Sequence, residues 1–173
     1  MEGLASLIET LDRWVTAVLD ALVIAMAGLL LALLNWAVFA RFVLNDSVSW
    51  GEELPAYILA ALTFIGAAYL TRTNEHLGFD AVLRILPSGT KRVVTCLNLI
   101  LMDGFGALMA WYGGIAAASF WGRTLISVDL PVTLFRGAMA AGGLLIALFC
   151  AVRLVGILIG RVDPDSLIPE SDA

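Results

Sequence analysis

Between Ala21 and Ala40 the chain runs for twenty residues without a charge. At 1.5 Å of rise per residue, such a run crosses the ~30 Å hydrocarbon core of a bilayer as one helix. The pattern recurs. Leu54 to Thr71 is uncharged, Val93 to Gly122 is uncharged except for Asp103, and Gly137 to Val152 is uncharged again. A chain with 61% hydrophobic residues and a mean hydropathy of +0.94 lies outside the range of soluble globular proteins. The expected fold class is therefore an all-α integral membrane protein with four transmembrane helices, spanning about residues 21–40, 52–71, 95–120 and 132–153. Residues 1–161 form a single four-helix membrane domain on this reading, and the acidic, proline-containing residues 162–173 a disordered tail.

Two further segments are apolar on one face only. Leu4, Leu7, Ile8, Leu11, Trp14, Val15 and Val18 share a helical face from which Glu9, Asp12 and Arg13 are absent, which predicts an N-terminal amphipathic helix suited to the membrane interface. This N-terminus lacks the basic start and small-residue cleavage site of a secretory signal and is expected to be retained. Between the second and third spans, Phe79, Val82, Leu83, Ile85 and Leu86 lie opposite the i,i+4 pair Asp80 and Arg84. Ten residues cannot cross a bilayer, so this interfacial amphipathic helix should lie flat and stop at Pro87-Ser88-Gly89.

Four spans sort the ten basic residues onto two sides. Arg13, Arg72, Arg84, Lys91, Arg92, Arg153 and Arg161 fall on one side, and Arg41, Arg123 and Arg136 on the other. The positive-inside rule then places both termini and the middle amphipathic segment in the cytoplasm. The turn from Arg41 to Leu54 is consequently on the outer face. It carries the turn formers Asn45, Asp46 and Ser47, then Trp50 and the acidic pair Glu52 and Glu53. Ser49 and Glu52 stand in capping-box spacing, although Pro55 also allows a helix start nearer Glu52. Either this stretch is an ordinary capped turn, or it is a docking surface for another protein.

Within the spans, Asn35 can hydrogen-bond a neighbouring helix, and small residues invite close helix packing at Gly66-Ala67-Ala68 and along Gly137, Ala138, Ala141, Gly142 and Gly143. Arg153 and Arg161 can extend to the interface at the end of the fourth span. Asp103 falls near the middle of the third span, where an aspartate costs on the order of 2.5–3.5 kcal/mol and must face protein. A proton or ion relay normally uses several such groups, so a hydrogen-bonded packing role is expected.

Other classes of function fit less well. A net charge of −5 argues against nucleic-acid binding. The single histidine, His76, gives no axial pair for haem, and Cys96 and Cys150 lack metal or redox spacing, so no enzyme activity, cofactor or metal is expected.

The four-span plan together with two motifs resembles the small membrane subunit, the DctQ-type or Q subunit, of tripartite ATP-independent periplasmic (TRAP) transporters. One motif is Arg41-Phe42 closing the first span, followed by Trp50, Glu52 and Glu53; the other is Arg72, His76 and Asp80 at R-x-x-x-H-x-x-x-D spacing after the second span. The resemblance covers about residues 10 to 160. It implies a secondary transporter of organic acids in a bacterial or archaeal cytoplasmic membrane. A periplasmic protein captures the substrate, and a large multi-span subunit carries the substrate and ion sites. The small subunit packs beside the large one as a scaffold and helps form the docking face. Arg41, Trp50, Glu52 and Glu53 are then the candidate partner interface, Arg72, His76 and Asp80 a structural motif on the cytoplasmic side, and Asp103 a buried polar residue. The competing expectation is an independent four-span exporter or channel that uses Asp103 for coupling.

Overall fold

In a computed structural model, residues 2–73 and 87–159 are described, with the backbone alone for 2–12 and 88. His76, Asp80, the interfacial segment around them and the tail from 160 onward lie outside the described residues. The described chain forms four helices: α1 (Glu2–Phe42), α2 (Glu53–Thr73), α3 (Ser88–Ser119) and α4 (Val132–Leu158). Each is long and apolar enough to span a membrane. Among the described residues there is no strand, only an isolated bridge between Thr124 and Pro131.

The tightest contact is the antiparallel pair α3 and α4, and glycine makes it possible. A Cβ on Gly143 would stand 2.6 Å from the backbone nitrogen of Ala110, and one on Gly106 would stand 2.8 Å from that of Ala147. Backbones this close exclude any side chain between them, which is how small residues pack helices where lipid supplies no hydrophobic drive. Gly142 does the same toward α2, where a Cβ would meet the Phe64 carbonyl oxygen at 2.5 Å. Gly66 and Gly137, which the sequence pattern groups with the packing glycines, have open space at their Cβ positions.

The buried side of α2 is the stripe Pro55, Ile58, Ala61, Ile65, Ala68 and Thr71, at three- and four-residue steps along one helical face. Ala68 meets Leu99 of α3 and Ile146, Cys150 and Ile157 of α4 in the main apolar cluster. Cys150 is thus a small hydrophobe in the core, and both cysteines are free thiols.

The helices pack in the order α3, α4, α2, α1, with α2 the main neighbour of α1. Large apolar side chains along α1, among them Ile24, Leu31, Trp36 and Phe39, are exposed, as a lipid-facing or partner-facing helix requires. The lead-in and the first span form one unbroken helix, because no proline or glycine falls between Leu4 and Ala27 to interrupt it. Asn35 turns back on its own helix, its side-chain amide donating to the Leu31 carbonyl at 2.7 Å, rather than bridging to a neighbour.

Candidate partner surface and its ties

At one end of the molecule lie the α1–α2 and α3–α4 loops. α1 ends where Asn45 takes a left-handed conformation, φ 52°, which a short polar side chain tolerates. This reversal lets the Asp46 N–H reach the Ala40 carbonyl at 3.1 Å. The second helix then begins at Glu53, so Ser49 lies in the preceding turn and does not cap it as the capping-box spacing suggested. The reason is Pro55: as the third helical residue it falls within the first turn, whose N–H groups have no intrahelical acceptor, so its missing donor costs nothing.

The acidic pair divides its work. Glu52 faces Arg41 across the turn at 3.6 Å, with side chains 92% and 63% exposed respectively. Glu53 points to the α3–α4 loop instead. Its carboxylate accepts from the Ser127 N–H at 2.9 Å, from the Ile126 N–H at 3.2 Å, and from the Ser127 hydroxyl. Three donors on one carboxylate tie together loops 74 residues apart in sequence. Trp50 is half-buried beside them.

The α3–α4 loop is ordered by its own bonds as well. The Leu125 N–H donates to the Leu130 carbonyl and the Val132 N–H to the Arg123 carbonyl, at 2.9 and 3.0 Å. Gly122, at φ +76°, makes the turn that leads into this hairpin. Thr133 donates from its hydroxyl to the Phe120 carbonyl at 2.9 Å. The Arg136 guanidinium lies 3.7 Å from the Phe120 ring centre and that of Arg123 5.2 Å, within cation–π range. Leu125 is buried under the loop, while Trp121 and Ile126 stand 81% and 99% exposed.

Arginines hold the opposite end. The Arg153 guanidinium donates to the carbonyls of Thr71 and Arg72 in the last turn of α2. Arg92 donates to the Ile157 carbonyl near the end of α4 at 3.0 Å. A helix C-terminus carries unpaired carbonyls and the negative end of the macrodipole, so each cation satisfies both at once. Arg72 also lies 5.7 Å from the Phe149 ring centre. The sequence pattern suggests that Arg153 extends to the interface; the structure turns it inward onto α2 because open acceptors lie within its reach. Asp103 is half-buried on α3.

The arrangement is one of surfaces and ties: a charged and aromatic loop end, an arginine-bound opposite end, and a bare first helix. The sequence profile of the family described as "Tripartite ATP-independent periplasmic transporters, DctQ component" matches residues 30–160. The chain is 28% identical over 111 residues to the ectoine TRAP transporter small permease protein of Halomonas elongata, covering 64% of this chain and 55% of that protein. It is 21% identical over 168 residues to the sialic acid TRAP transporter small permease protein of Vibrio cholerae, covering 94% of this chain and 96% of that protein. It is 24% identical over 98 residues to a C4-dicarboxylate TRAP transporter small permease protein of Vibrio cholerae, covering 53% and 42%. The chain thus spans nearly all of the sialic acid relative and about half the length of the other two. With that match across most of its length, and with four helices fit to span a membrane, the chain belongs to the DctQ component family of tripartite ATP-independent periplasmic transporters.

Proposed function

We propose that this chain is the scaffold subunit of a TRAP-type secondary transporter for an organic acid, packing beside a large ion- and substrate-carrying membrane subunit. The observation that carries this reading is the packing order. Because α2, α3 and α4 share one small apolar cluster while α1 packs mainly on α2 at the edge, the chain offers long apolar flanks to a neighbour. The bare span of α1 is the largest of them. In this reading both termini are cytoplasmic, and the loop end faces the periplasm. There Arg41, Trp50 and Glu52 contribute to the surface that receives a periplasmic substrate-binding protein. Glu53 contributes indirectly, by holding the α3–α4 loop in place. Arg72, with His76 and Asp80, belongs to the cytoplasmic side.

The test is assembly followed by transport. Extracted in mild detergent, the tagged chain should copurify a much larger membrane protein. Reconstituted alone into liposomes it should show no gradient-driven organic-acid uptake, and uptake should appear when the large subunit and the binding protein are added. Uptake by the chain alone would overturn the scaffold reading in favour of an independent exporter or channel.

A further inference from the structure

Where α1 gives way to the loop, the chain folds back on itself and leaves a half-open groove of about 280 Å³. Its rim is polar. Arg41 and Glu52 stand there, 3.6 Å apart and largely exposed, and Ser47 adds a hydroxyl. Below the rim the lining becomes apolar at Leu34 and Val38, both exposed, while Phe42 flanks Arg41 at the helix end. Gly51 fixes how closely the loop lies on the helix: a Cβ there would stand 3.2 Å from the Ala37 Cβ and 3.0 Å from the Val48 Cγ2. The change from charged to apolar follows the axis of α1 and falls where its uncharged run ends at Ala40.

An exposed ion pair of this kind holds itself together weakly, at roughly 0–1 kcal/mol, so both charges remain open to an outside ligand. The guanidinium has a planar set of donors suited to a phosphate, and the carboxylate accepts from an ammonium. We propose that this groove binds the headgroup of a glycerophospholipid bearing both a phosphate and a primary ammonium, as in phosphatidylethanolamine. The phosphate sits on Arg41, the ammonium on Glu52, and one acyl chain descends along Leu34 and Val38. A headgroup without a cation leaves Glu52 facing the phosphate unpaired. A quaternary ammonium offers Glu52 no N–H. The occupant is a lipid because the groove has a lipid's own order of parts, charged then apolar along the axis of α1 toward its uncharged run, and its lining comes from α1 and the turn after it alone. This site goes beyond the assembly reading and requires no partner protein.

The test is native mass spectrometry of the full chain in mild detergent, titrated with dioleoyl phosphatidylethanolamine, phosphatidylcholine or phosphatidylglycerol. Phosphatidylethanolamine should be retained about two- to fivefold more than either of the others, the range expected for partly solvated ion pairs. Arg41→Ala should lower retention of phosphatidylethanolamine, and Glu52→Gln should abolish the preference over phosphatidylcholine. The double exchange Arg41→Glu with Glu52→Arg should restore the preference, which a mere folding defect would not allow. Equal retention of the three lipids overturns the proposal, as does a preference unchanged in both single variants. If the variants lose the large subunit on copurification while the lipids show no preference, a protein occupies the groove and the proposal fails.

Discussion

Glu52, the last residue of the turn, and Glu53, the first of α2, are adjacent in sequence and opposite in role. Glu52 is an exposed charge, whereas Glu53 is the acceptor for three donors of a distant loop. Glu53→Ala should speed amide hydrogen exchange across residues 124–130 and Ser127→Ala should do so less, and the double variant should exchange no faster than Glu53→Ala alone, because Ser127→Ala removes one of the three bonds that Glu53→Ala removes. Additive effects would mean that the two side chains act independently. Neither change should alter membrane insertion, which the apolar runs determine. The sequence showed an acidic pair at a helix start but not its partner, since nothing local indicates which loop, 74 residues away, will supply the donors. Asp103 is a different case. Its depth was evident from its place in an uncharged run, and it lies half-buried on α3. Asp103→Asn keeps the polar shape and removes the charge, so assembly and uptake by the whole transporter should largely survive. Loss of uptake with normal assembly would show that the ionisable group itself is required.

The helices themselves were legible because four long apolar runs admit only one kind of membrane-spanning element. How they pack was legible only in part. Small residues marked the right helices, but the pattern does not separate the glycines that touch a neighbour from those that do not. Gly143 lies against the Ala110 backbone, whereas Gly137 has open space. Gly143→Ala should therefore cost about 1–3 kcal/mol in detergent unfolding, the usual range for overpacking. Gly137→Ala should cost nothing measurable in the same experiment. Equal effects would mean that the α3–α4 contact is looser than these distances require. Arg153 teaches the same lesson at a helix end. A cation near the end of a span ordinarily turns toward the interface, and only the proximity of the α2 carbonyls shows that it turns inward.

Across the whole molecule, the seven-to-three division of basic residues predicts cytoplasmic termini. A reporter active only outside the cytoplasm, fused after Asp46, should give signal, and the same reporter after Arg84 should give none; the reverse result would invert the molecule in the membrane. The long first helix bears on how the molecule fits its bilayer. Its 41 residues rise about 60 Å, roughly twice the hydrocarbon thickness, and even a tilt near 40° leaves on the order of fifteen residues beyond it. Since α2 is its main neighbour, α1 lies at the edge of the α2–α3–α4 packing. A thicker or thinner membrane should then change the tilt of α1, and how much of it emerges, before it disturbs the α2–α3–α4 packing, so hydrophobic mismatch falls first on the molecule's edge.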